Sequence, residues 1–188
     1  MAIDRKAAAT AIDAFLRAIG RDPEHEPDLV GTGPRVADAF IDELCTGYAI
    51  DTRALLDASV ITGVAPNLVV VRDLPVTTMC PHHLLPASGT ATIALQSLER
   101  VVGLGTLASL VEAHARRLTL QERIGEAVVA DLQAVLAPTW VGCRIVLVHG
   151  CMAARGERAI GSRVETIALR GASGDAVGHA HAALGVGR

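Results

Sequence analysis

The chain has 188 residues, 51% hydrophobic and 20% charged, the balance of one folded domain with a real core, which excludes a disordered chain. A formal net charge of -3 excludes a general electrostatic pull toward nucleic acid or an anionic membrane, so a polyanionic ligand needs a local basic pocket. Aromatic residues make up only 2%, so Ala, Val, Leu and Ile must fill the core.

From Asp4 to Ile19 the residues Ala8, Ile12, Phe15, Leu16 and Ile19 recur at helical spacing, and Gly20 supplies a stop. Nothing here has the apolar run or cleavage pattern of a signal peptide, and no stretch is long and apolar enough to span a bilayer, so a soluble, cytoplasmic protein is expected. A second helix opens at Thr32-Gly33-Pro34-Arg35 and carries Val36, Phe40, Ile41 and Leu44 on one face before Gly47. Asn67 to Arg72 is a β-branched run, and Gly89 to Leu95 alternates Thr90 and Thr92 with Ala91, Ile93 and Leu95, so two strands flank the segment Thr77 to Pro86. Leu104 to Arg117 is helical by period, and a further helix runs from Thr119 to about Leu136, ended by Pro138. Strands are expected at Val141 to His149 and Ser162 to Leu169, and the Gly-, Ala- and His-rich tail from Gly171 is expected to fray.

Two strand ends concentrate metal-binding residue types: Met79-Cys80-Pro81-His82-His83 and His149-Gly150-Cys151. Zinc prefers thiolate and imidazole, and a catalytic zinc site offers three such ligands and an open position. Cys80, His83 and Cys151 make that set, with His82 and His149 left as nearby imidazoles. Cys45 and Cys143 have no ligand partner at useful spacing and read as buried thiols. His25, His114, His179 and His181 likewise lack a partner and read as surface residues. Thr119-x-x-Glu122 has the pattern of a capping box, in which the glutamate closes a helix start.

Cys80-Pro81-His82-His83-Leu84 resembles the Cys-Glu-His-His segment of the GTP cyclohydrolase I family, and His149-Gly150-Cys151-Met152-Ala153-Ala154-Arg155-Gly156 resembles its His-x-Cys-Met-x-x-Arg-Gly segment. Val102-Gly103-Leu104, the run Arg116 to Arg123 and the helix start Thr32 to Ala37 are similar in order and spacing, so the resemblance covers roughly residues 30 to 170. It implies an α+β tunnelling fold, an antiparallel sheet with helices packed on one side. A helical segment (residues 1–50), a catalytic core (51–170) and a flexible tail (171–188) then belong to one domain. It further implies a homo-oligomer, usually a decamer, with active sites between subunits.

For chemistry the resemblance implies Zn2+ on Cys80, His83 and Cys151, preparing hydroxide for attack on C8 of GTP. His82 and His149 shuttle protons, with His149 serving the ring nitrogen. Glu122, with Gln121 beside it, reads the guanine N–H groups, and Arg155 binds phosphate. Formate leaves, and reclosure gives 7,8-dihydroneopterin triphosphate. The match fails at Gly103 to Ser109, where the family's phosphate-binding Ser, Lys and Arg are replaced by Gly105, Thr106 and Ser109. That departure raises two alternatives: a less phosphorylated guanine substrate, or a non-catalytic zinc-binding subunit.

Overall fold

The computed structural model describes residues 2–187, in two compact units, one ending at Thr46 and the other beginning at Gly47. The first is a helical pair. Asp4 caps α1 (Arg5–Ala18) by accepting the Ala7 N–H at 2.9 Å, as a short acidic side chain does at a helix start. α2 (Thr32–Ala39) runs on into a π-helical turn, Phe40–Leu44, so the expected second helix is present with its last turn widened. The two helices meet at Gly33, where a Cβ would lie 2.5 Å from Asp13 Oδ1 and 2.6 Å from the Ala9 carbonyl, so only glycine permits the approach. Arg5 on α1 holds Asp38 and, through two 2.7 Å bonds, Asp42. No residue of α1 is fully buried, and Phe15 and Ile19 stay mostly exposed.

The second unit contains α3 (Thr52–Asp57), β1 (Val60–Thr62), β2 (Asn67–Met79), β3 (Pro86–Ser97), β4 (Arg100–Val102), α4 (Leu104–Ala115), α5 (Gln121–Leu136), β5 (Trp140–His149), α6 (Gly150–Ala153), β6 (Val164–Arg170) and α7 (Asp175–Leu184). β2, β3, β5 and β6 form a four-stranded antiparallel sheet in that order, while β1 and β4 pair separately. The chain is therefore α+β. β2 and β3 are longer than the β-branched and alternating runs suggest, because pairing continues to Met79↔Pro86, with one irregularity between Val71 and Leu74.

Alternation sorts the sheet's side chains. Ala91, Ile93 and Leu95 of β3 and Val141, Cys143, Ile145 and Leu147 of β5 point to one face, where α4 and α5 bury them with Leu107, Leu110, Val111, Val128 and Leu132. Burial pushes the Cys143 thiol up to about 12 with no charged neighbour contributing, so this cysteine is an inert core group. The opposite face is not bare. α7 covers it, packing fully buried Ala180 and Leu184 on Ala94 and Trp140. This corrects two expectations, a frayed tail and helices on one side of the sheet only. The helix is anchored beyond its composition: Arg72 donates to the Ala183 carbonyl at 2.7 Å, a cation at a helix C-terminus, and Gly185 closes the helix with φ 75°. No helix among the described residues is long and apolar enough to cross a membrane.

Candidate active site

β2 and β3 are joined by the turn Cys80 to Leu85, and the turn is closed by its own backbone: the Cys80 N–H donates to the Leu85 carbonyl and the Leu84 N–H to the Cys80 carbonyl, both at 2.9 Å. β5 ends beside it, since His149 pairs with Ala87. The chain then turns at once into α6, and Gly150 permits this, because a Cβ there would sit 2.8 Å from the Pro86 carbonyl. The close approach carries Cys151 to the hairpin turn. Donor atoms of Cys80, His83 and Cys151 all lie within 4.8 Å of one another, with Cys80 Sγ 3.7 Å from His83 Nδ1. Ligands at zinc bond lengths around a tetrahedral centre stand roughly 3.3–3.8 Å apart, so the set fits a metal of that size and leaves a fourth position. Burial and the adjacent Cys80 hold the Cys151 thiol above its ordinary range, while Arg155 draws it down.

A cavity of about 230 Å³ opens beside this corner, lined among others by Cys80, His82, Gln121, Glu122, His149 and Cys151. His149 is half-buried, and desolvation lowers its pKa while Glu122 pulls it upward. Its Nε2 lies 2.8 Å from Gln121 Oε1. Gln121 itself is only 2% exposed, and its amide nitrogen donates to the Ile145 carbonyl at 3.0 Å, the Val164 carbonyl at 3.0 Å and Thr166 Oγ1 at 3.1 Å. The residue expected beside a base is therefore bound internally.

The capping box does not form. α5 starts at Gln121, with Leu120 as the residue before it and no side-chain cap, because the Thr119 N–H donates to the Met79 carbonyl at 3.2 Å and an isolated bridge ties Leu118 to Met79. Released from that duty, the exposed Glu122 carboxylate makes no hydrogen bond among the described residues and borders the cavity. Its geometry leaves both oxygens open to a ligand.

Arg155 is exposed and reaches back so that Nη1 donates to His83 Nε2 at 2.7 Å. His82 is exposed, its ring edge-on to His83 with centroids 6.2 Å apart. Gly105, Thr106 and Ser109 lie on the first turns of α4 and bring no charge there. His114, expected on the surface, is instead half-buried on α4 with its Nε2 2.8 Å from Asp131 of α5. His25 also has a partner, Asp22 at 2.8 Å, though both are exposed, and His181 is half-buried on α7. Sequence reasoning missed Thr166 and the Ile145 and Val164 carbonyls, and no local pattern marks them.

A family model described as GTP cyclohydrolase I matches residues 8–183. A GTP cyclohydrolase 1 of Synechococcus sp. (strain JA-2-3B'a(2-13)) is 36% identical over 165 residues, covering 88% of this chain and 71% of that protein. The GTP cyclohydrolase 1 of Leptospira biflexa serovar Patoc is 35% identical over 160 residues, covering 85% of this chain and 86% of that protein. Among solved structures, the crystal structure of the archaeosine synthase QueF-Like in the apo form is similar over 59% of this chain and 100% of that one, at 18% identity and a TM-score of 0.49. By the extent of the family match and the level of these identities, the chain belongs to the GTP cyclohydrolase I family.

Proposed function

We propose that this chain is a zinc-dependent GTP cyclohydrolase, which opens the imidazole ring of GTP at C8, releases formate and yields 7,8-dihydroneopterin triphosphate. The observation that carries the reading is the convergence of Cys80, His83 and Cys151 at the edge of a cavity that also holds His149 and Glu122. Zinc in that donor set supplies a Lewis acid that lowers the pKa of a water toward neutrality.

The remaining steps belong to side chains. Glu122 has both carboxylate oxygens free of a helix cap, and guanine offers two N–H donors along one edge, so Glu122 accepts them and sets the orientation of C8. His149 gives a proton to the ring nitrogen as its bond to C8 breaks, and burial, which lowers its pKa, makes its imidazolium the readier donor. His82, exposed on the turn, carries protons between the site and solvent. Arg155 presents the planar fork that phosphate oxygens accept.

The four-stranded antiparallel sheet with α4 and α5 on one face supports the tunnelling-fold reading. Phe15, Ile19, Leu104 and Ile160, large apolar side chains left exposed, support assembly into a homo-oligomer, with ten copies implied by the family resemblance. The test is to supply GTP to the zinc-loaded protein and to measure formate and the pterin together. Both are expected, and His149→Ala should lower the rate by about 10²–10⁴-fold with zinc retained. Absence of formate from the wild-type protein would sink the proposal.

A further inference from the structure

We infer that Gln121 is a positioning residue that fixes His149 in the tautomer bearing its proton on Nε2, which leaves Nδ1 as the ring nitrogen open to a substrate. The clause about substrate rests on the function proposed above; the clause about the tautomer does not.

The argument begins with which way the Gln121 amide faces. The amide is buried, and one end of it meets the Ile145 carbonyl, the Val164 carbonyl and Thr166 Oγ1 within 3.1 Å. Both carbonyl oxygens can only accept, so the end facing them must be the NH2 group, with one hydrogen shared between two acceptors. Turning the amide over would set its oxygen 3.0 Å from two carbonyl oxygens, a repulsive contact, and would remove the donor that both now share. Oε1 is therefore committed to the opposite side, where it meets His149 Nε2 at 2.8 Å. An amide oxygen can only accept, so Nε2 must carry a hydrogen.

The consequence holds in both charge states of the imidazole. Neutral His149 has Nε2–H and a bare Nδ1; the imidazolium keeps the same Nε2–H bond and adds a proton on Nδ1. Nδ1 is thus the ring nitrogen left open, and it makes no hydrogen bond among the described residues. The acceptors that hold the amide come from β5 and β6 and the amide from α5, so the tautomer is set by the joint between the helix and the sheet. Gln121 does not need to touch the substrate to control the proton transfer.

The test uses the full-length, zinc-loaded protein labelled with 15N-histidine, with solid-state 15N spectra resolving protonated from bare ring nitrogens and a His149→Asn variant identifying the His149 signals. Wild-type protein should show His149 with Nε2 protonated and Nδ1 bare. Gln121→Glu keeps an acceptor toward Nε2, its second oxygen taking a proton to donate to a strand carbonyl, and should keep that tautomer. Gln121→Met removes the acceptor and should give a mixture, with kcat for formate release lowered about 100-fold and KM for GTP and bound zinc little changed. Nδ1–H in the wild type, or an unchanged tautomer in Gln121→Met, would overturn the inference. Should Gln121→Met fail to fold, the wild-type and Gln121→Glu spectra still decide it. Should the wild type release no formate from GTP, the proposed function falls while the spectra continue to test the tautomer.

Discussion

The wall and the rim of the site are built in opposite ways. At the wall, Gln121, His149 and Cys151 are placed by a buried amide with four hydrogen-bond partners and by a glycine contact that admits no side chain. At the rim, Arg155, Glu122 and His82 are exposed. The wall holds groups whose chemistry depends on distances of a few tenths of an ångström, whereas the rim holds groups that meet a ligand by charge. In the proposed reaction the groups at the metal corner are thus fixed before a ligand arrives, while the exposed groups are free to settle on it.

The largest effect should come from breaking the wall at its metal corner. Cys151→Ala removes one of three donors, and a Lewis acid is worth several kcal/mol at the transition state, so formate release should fall by at least about 10³-fold together with bound zinc. Zinc content by atomic absorption and formate release, measured on one sample, check this. Full activity with zinc lost would show that the corner is not the reacting centre.

Next comes the bracing behind the wall. Leu184→Ala empties a fully buried position where α7 meets Trp140 on the far face of the sheet, and should cost about 2–5 kcal/mol of stability. Thermal unfolding should show the loss, while formate release per folded molecule stays near wild type. A proportionate loss of rate would mean that the wall's geometry depends on α7, and the contrast would then extend through the sheet.

A smaller effect is expected at the rim. Arg155→Met removes one charge-assisted contact worth about 1.5–3 kcal/mol, so KM for GTP should rise roughly 10- to 150-fold with kcat nearly kept. A fall in kcat with KM unchanged would move Arg155 from the rim to the wall.

Sequence made the metal corner legible because thiol and imidazole at two strand ends are rare enough to be read as chemistry, and the two turns that unite them are local. The helices α1, α4 and α5 were legible for the same reason, a periodicity completed within one segment. What failed depended on distant partners. The capping-box pattern goes unused because Met79, forty positions before Thr119, claims its backbone. The internal bonds of Gln121 are invisible locally because its acceptors lie 24 to 45 positions away, and His114 differs from a surface residue because Asp131 lies 17 away on another helix. α7 was read as frayed because Ala, Gly and His give a weak apolar stripe, and two buried residues, Ala180 and Leu184, anchor it to the sheet. β1 and β4 are too short, at three residues each, to leave a period at all.

The smallest expected effect probes whether the outer face of β5 and β6 helps hold the wall. Arg144 grips Glu165 through two bonds of 2.8 and 2.9 Å, and Glu165 stands between Val164 and Thr166, whose oxygens hold Gln121. The Arg144 guanidinium keeps the Glu165 carboxyl below its ordinary range. A carboxyl whose pKa is lower folded than unfolded adds stability above its unfolded value, about 4.3, and loses it as pH falls through the folded one. Both side chains are partly open to solvent, so the pair contributes at most about 1 kcal/mol after screening. The Tm of Glu165→Gln should therefore lie slightly below wild type at neutral pH and converge with it under acid, while kcat for formate release stays unchanged. A parallel offset at every pH would assign the loss to packing, and a fallen kcat would mean that the outer clasp reaches through the strand to the Gln121 amide.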